Sequence, residues 1–267
     1  LPAGDGTVRK LALPAPTQTV AASPPAATAM TNTTQPASMH ELTETEPNDS
    51  PAEAPLVEVP ASIKGITHQQ TGNTPDTDLV RIKATAGQTL LIEVKAARDK
   101  SPLDSIVDVL TATGQPVLQT RLQAVRDSWF TFRGKDSDTS DDFRMFNWQE
   151  MELNEYLYAD GEVVRLWLYP RGPDSGFKVY PGFGQRQTWF NTTPSTHPLQ
   201  GPAFIVVPHA PDAVLRDTGL PVFPIYAEND DDPQRQWGAD SRLMFTAPAT
   251  GEYLVRLRDA RGFQGPD

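Results

Sequence analysis

Between residues 57 and 119 apolar side chains alternate with polar ones in short runs, at 62–67, 79–84, 89–96 and 105–111, each rich in Val, Ile and Leu. Alternation with period two marks a strand with one buried face, because successive side chains on an extended chain point to opposite sides. Turn residues separate these runs, as at Thr71-Gly72-Asn73, Ala86-Gly87 and Thr113-Gly114. Short strands punctuated in this way predict an all-β sandwich or barrel. The strongest local signal spans 156–169, where Asp160-Gly161 sits between two β-prone runs and supplies the positive backbone angles of a tight hairpin turn. Further strands are expected at 128–133, 203–207, 222–227, 242–246 and 252–258. Only 148–157 has a helical look, and it is short.

Composition strengthens the strand reading, since 26 Pro and 18 Gly in 267 residues interrupt the chain too often for long helices. It also divides the chain. Up to His40 the sequence is mostly Ala, Pro and Thr, with Asp5, Arg9 and Lys10 as its only charges and no aromatic ring. Such a stretch cannot bury enough surface to offset its ordering entropy, so residues 1–42 are expected to be a linker. The run at 8–13 is the exception and could be a strand. All 22 aromatic residues lie from Trp129 onward, so the aliphatic first half and the aromatic second half imply two kinds of core.

Charge and cysteine content narrow the chemistry. The formal net charge of −11 repels phosphate backbones and disfavours nucleic-acid binding. With no cysteine there is no disulfide framework, no thiolate metal site and no cysteine nucleophile. No apolar run approaches the roughly 20 residues of a membrane-spanning helix, so no membrane span is expected. The sequence begins on Leu1 rather than Met and stops at Asp267 straight after a strand-like run, as a piece of a longer polypeptide with other domains would.

Six fragments in order resemble the bacterial pre-peptidase C-terminal (PPC) domain family. Glu44-Thr-Glu46-Pro47-Asn48-Asp49-Ser50 is similar to its opening, Asp76-Thr-Asp78-Leu-Val-Arg-Ile to its step into a strand, and Thr85-Ala-Gly87-Gln-Thr-Leu-Leu-Ile-Glu-Val to the strand that follows. Leu103-Asp104 with Val109-Leu-Thr-Ala-Thr-Gly114 resembles the next hairpin. Glu228-Asn229-Asp230-Asp231-Asp232 with Asp240-Ser241-Arg242, and Thr250-Gly251-Glu252-Tyr253, resemble the closing half. The match is interrupted by roughly a hundred residues that the short module lacks, and the family's last strand is missing after residues 262–265.

The resemblance implies an antiparallel, jelly-roll-like β-sandwich, discontinuous over 43–127 and 221–267, with an additional β-rich insert at 128–220. It implies a non-catalytic appendage of secreted bacterial enzymes or cell-surface proteins, hence an extracellular or cell-envelope location. It also implies calcium bound by acidic side chains on the segment leading into the sandwich. Family order and period-two alternation together place Leu90, Ile92 and Val94 in one core with Leu243, Phe245, Leu254 or Val255.

Read as chemistry alone, Glu44, Glu46, Asn48 and Asp49 offer four oxygen-bearing side chains within six residues. Calcium takes six to eight hard oxygen ligands in flexible geometry, so this leader folded back on a second acidic loop, Asp76 and Asp78, would make a cage. The alternative is a solvated acidic linker with Asp78 capping a turn. Asp136-Ser-Asp138-Thr-Ser140-Asp141-Asp142 has alternating oxygens but lacks the Gly and the Glu of a calcium-binding EF-hand loop, and reads as an exposed turn or a weaker metal loop. Residues 229–232 read as a solvated turn before a second metal site.

Catalytic signatures are missing: there is no G-x-S-x-G, no H-E-x-x-H and no phosphate-binding loop. Of His40, His68, His197 and His209, the last two fall in the insert and are candidates for a catalytic pair or for ordinary turn histidines. The insert holds four of the five Trp residues, next to Arg144, Arg165 and Arg186. Aromatics of this density serve as core, or as a surface for a protein or carbohydrate ligand. Three functions follow: a calcium-stabilised binding module, a hydrolase-type enzyme with its site in the insert, or a structural spacer.

Overall fold

Alternating strands can bury their apolar faces only by pairing, and in this chain they do so across long separations. The computed structural model describes residues 39–67, 76–132, 140–172 and 175–261. The first strands are β1 (His40–Thr43), β2 (Leu56–Val57), β3 (Ala61–Lys64), β4 (Asp78–Ala84), β5 (Thr89–Glu93), β6 (Ser105–Thr111) and β7 (Leu118–Trp129). There follow β8 (Asp142–Phe143), β9 (Tyr156–Ala159), β10 (Glu162–Leu168), β11 (Phe177–Val179), β12 (Pro181–Gly182), β13 (Gln185–Arg186) and β14 (Pro202–His209). The last are β15 (Val222–Tyr226), β16 (Glu228–Asn229), β17 (Arg242–Thr246) and β18 (Gly251–Asp259). The protein is all-β, with antiparallel pairing throughout except for β1 with β3 and β2 with β4.

One layer is the sheet β16-β6-β18-β4-β2, and β17-β5 is a two-stranded ladder facing it. Ile82, Val107, Val109 and Tyr253 from the first pack against Leu243 and Phe245 from the second, and Leu90, Ile92, Val94 and Val255 close around them. This is the sandwich core expected from the alternation. Leu254 turns to the opposite face, against Ala54, Leu79 and Leu110, as its odd place in the period requires.

The larger sheet runs β15-β7-β14-β9-β10-β11-β8. One face carries Phe130, Phe143, Met151, Leu166 and Phe177, and the other Leu122, Ala124, Val163 and Val206. A sheet covered on both faces favours consecutive apolar residues, which explains Val163-Val164 and Ile205-Val206. The hairpin β9–β10 forms as predicted, with Asp160 and Gly161 at φ 43° and 86°.

Three expectations change. His40–Leu42, assigned to the linker, belong to β1 and pair with β3, so the expected boundary at 42/43 falls inside a strand. The helical look of 148–157 reduces to one 3-10 turn, Trp148–Glu150, before β9 begins. The expected strand at 128–133 is instead the end of β7, whose polar start Leu118-Gln-Thr-Arg hides its β character. Because β7 pairs with β15 at 118–123 and with β14 at 121–129, the boundary at 127/128 falls inside a strand. The run at 8–13, the turn at 71–73 and the glycine-rich end at 262–265 lie outside the described residues.

Candidate functional site

The leader after β1 is fastened to the start of β4 by its backbone: Leu79 N donates to Asn48 O at 3.2 Å, and Arg81 N to Pro55 O at 2.8 Å. These two bonds and the parallel β2–β4 pair carry Glu44, Glu46, Asn48 and Asp49 to the loop holding Asp76 and Asp78. Glu44, Glu46 and Asp78 each present a carboxylate oxygen within 4.8 Å of the other two. Asn48, 1% exposed, sits beneath them, its Nδ2 donating to Glu44 Oε1 at 2.6 Å and its backbone N to Glu46 Oε2 at 3.0 Å. Thr77 N donates to Asp49 Oδ1 at 3.3 Å and to Asp76 Oδ1 at 3.1 Å, and Asp76 is buried. All six side chains expected at the site therefore converge on one corner of the sandwich.

Its electrostatics are lopsided. Burial, then the hydrogen bond and charge of Glu44, push the Asp78 carboxyl up to about 9, with Asp76 and Glu46 adding to the rise. Glu46 is also raised, first by burial and then by Asp76. Among the described residues, no Lys or Arg is a main cause of either shift. Two buried oxygens, Asn48 Oδ1 and Asp78 Oδ1, accept no hydrogen bond. A buried acceptor without a donor costs about 1–3 kcal/mol, and clustered carboxylates repel. One hard cation held among Glu44, Glu46 and Asp78 would neutralise the carboxylates, so the donor set is of the kind that an oxygen-liganded ion takes.

The other acidic stretches are built differently. Asp141 accepts from Lys178 Nζ and from Gly184 N, both at 2.9 Å, and Asp142 from Gly176 N at 2.8 Å, so both carboxylates knit the edge of the large sheet. Asp136 and Asp138 fall outside the described residues. Asn229 and Asp232 are buried, not solvated: Asn229 Oδ1 accepts from Arg242 N at 2.7 Å, and Asp232 from the backbone N of Gln234, Gln236 and Trp237. That turn is an internal brace. Asp230 within it is raised to about 6, by burial and then by Asp231, Asp104 and Glu228.

Of the two insert histidines, His209 ends β14, whereas His197 is walled in at 3% exposure. Its Nε2 lies 2.6 Å from Glu162 Oε2, its ring stacks on Phe130 at 5.0 Å, and Glu162 Oε1 faces Arg186 Nε at 2.8 Å. Sequence reasoning missed this buried trio. The signal was Glu162 beside Val163-Val164, a charge in an apolar strand that needs a buried partner. His68 lies outside the described residues, and His40 is exposed on β1. Among the described residues no helix is long and apolar enough to cross a membrane. Comparison with protein-family models, with curated proteins and with solved structures finds no match to this chain.

Proposed function

We propose that this chain is a non-catalytic accessory module of a secreted or cell-surface bacterial protein, similar to PPC domains, whose leader is clamped to the sandwich by calcium. The observation that carries the reading is the meeting of Glu44, Glu46 and Asp78 over two orphaned buried oxygens. Glu44, Glu46, Asn48, Asp49, Asp76 and Asp78 would supply the ligands. The ion contributes charge neutralisation and no reaction step, in keeping with a part that fastens. Extracellular calcium modules work with dissociation constants of about 10⁻⁴–10⁻³ M, which suits a surface or secreted location. The insert adds a recognition surface to this clamped frame.

The test is thermal unfolding of the chain in EDTA, in calcium and in magnesium. At a hundredfold excess over the dissociation constant, an ion bound only by the folded state adds about 2.7 kcal/mol, or roughly 5–10 °C in Tm. Magnesium, which demands near-octahedral geometry and keeps its waters, should give a smaller rise. An unchanged melting curve in calcium would leave the acidic corner as an ion-free turn.

A further inference from the structure

At the end of β7 the rings of Trp129 and Phe146 stack with centroids 3.7 Å apart and planes 11° from parallel. Each ring of this slab lines a surface depression. Trp129, Gln200 and Pro202 wall a cavity of about 340 Å³. Phe146 walls the other, of about 380 Å³, together with Phe132, Arg144, Asn147, Trp148 and Gln149. Both are open at the surface rather than enclosed. Phe132 and Phe146 remain 47% and 39% exposed, although the adjacent core buries Phe130, Phe143 and Phe177 completely.

The charge of these walls limits what can sit there. Among the described residues lining the two depressions, Arg144 is the one ionisable side chain. Its guanidinium lies 4.1 Å over the Phe132 ring, and its Nε is 3.4 Å from Asp142 Oδ2, so its charge is already balanced. What remains is aromatic faces edged by the amides of Asn147, Gln149 and Gln200, planar groups with a donor and an acceptor side by side. Such a surface offers nothing to a phosphate, a uronate or a basic peptide. It suits a ligand that is apolar on one face and carries neighbouring hydroxyls at its rim.

We infer that this face binds a neutral glycan chain, with sugar rings seated against the Trp129–Phe146 slab. The inference rests on the reading of the chain as a binding module and names its ligand class. It does not depend on calcium, since the two sites share no residue.

Isothermal titration of the full chain with neutral hexasaccharides tests it, using β-1,4-glucan, β-1,4-xylan, α-1,4-glucan and N-acetylchitohexaose, in calcium and in EDTA. At least one should bind with submillimolar affinity. Phe132→Ala and Gln149→Ala change exposed positions, so they should keep the melting temperature and weaken binding at least tenfold. Failure of every hexasaccharide at millimolar concentration would overturn the inference, as would wild-type affinity in both variants. Binding of heparin or casein with no hexasaccharide binding would also overturn it, in favour of a polyanion or a protein ligand. Glycan binding that persists without any calcium effect on melting supports it while the calcium clamp falls. Cleavage of a bound hexasaccharide supports it while the non-catalytic reading falls.

Discussion

Arg98 donates from Nε to Asp240 Oδ2 at 2.6 Å, joining residues 142 positions apart in the sequence. The fully buried Asp240 also accepts from the backbone N of Ala96, Ala97 and Arg98 at 2.8, 2.7 and 3.2 Å. Burial pushes this carboxyl up, but Arg98 and the three amides outweigh it and hold the group below its usual range. One side chain thus anchors the turn after β5 to the start of β17.

Asp240→Ala should therefore lose about 3–5 kcal/mol in urea unfolding, because it removes at once the shared acceptor of three backbone amides, that of Ala96 buried, and one of the partners of the Arg98 guanidinium. Arg98→Ala should lose less, since the amides stay capped. A depressed folded pKa gives stability that is present above the unfolded pKa, about 3.9, and is lost as pH falls through the folded value. The wild type should accordingly lose this contribution in acid, and Asp240→Asn should flatten that limb.

The Glu162, Arg186 and His197 trio predicts a graded series. Glu162→Ala leaves a buried guanidinium without its carboxylate and should cost about 3–5 kcal/mol. His197→Phe preserves the stack on Phe130 and leaves Glu162 held by Arg186 and by Ser195 N, so it should cost only about 1–3 kcal/mol. Equal losses in both variants would mean that the imidazole bond matters as much as the ion pair.

The raised Asp78 makes the ion-free protein pH-sensitive in the opposite sense to Asp240. Its folded pKa, about 9, lies above its ordinary value, so the folded state holds a proton that the unfolded state has released. Stability should be greatest near pH 4 and decline as pH rises toward 9 in EDTA. Saturating calcium should remove that decline, and calcium affinity should increase with pH because protons compete for the same oxygens. Asp78→Asn imitates the protonated acid and can still donate to Glu44. It should melt at or above the wild type in EDTA and lose most of the calcium response. A wild-type calcium shift in Asp78→Asn would remove Asp78 from the ligand set.

Much of this could be read from the sequence where local rules decide. The run at 242–246 alternates cleanly because it packs on one face only, 79–84 and 105–111 keep enough of the pattern although Leu79 and Leu110 serve the opposite face, and Asp160-Gly161 names its own turn. The grouping of the six acidic-corner residues could be expected because four of them lie within 44–49 and the other two within 76–78. Harder to read were β8, β11, β12 and β13, two- or three-residue strands that exist only because neighbours pair with them. The same holds for the Trp129–Phe146 slab. Stacking joins residues 17 positions apart, and no periodicity records which aromatics stay outside.

Gly182 gives a fourth prediction. It has φ 83°, and a Cβ there would overlap the Trp167 ring. Gly182→Ala should destabilise by more than the roughly 1 kcal/mol of a left-handed alanine alone, whereas Gly161→Ala, at φ 86° with open space around it, should show only that backbone cost. Chemical denaturation of the two variants side by side separates the terms.

The β5–β17 ladder has a bearing on time. Thr89 and Thr246 bring their hydroxyls within 2.9 Å although 157 positions separate them, and the whole seven-stranded sheet lies in between. Each doubling of a loop adds only about 0.6 kcal/mol to its closure, so the intervening sheet weighs little on the final equilibrium. Its effect is on order of assembly. The hairpin at Asp160-Gly161 can close in about 1–10 μs, while β4 and β6 must wait for β18, which pairs with both. A chain emerging N-terminus first therefore carries the bare flanks of β4 and β6 until β18, at residues 251–259, has been released, which places this sheet among the slow, millisecond-to-second folders and makes a copy lacking β18 prone to aggregation.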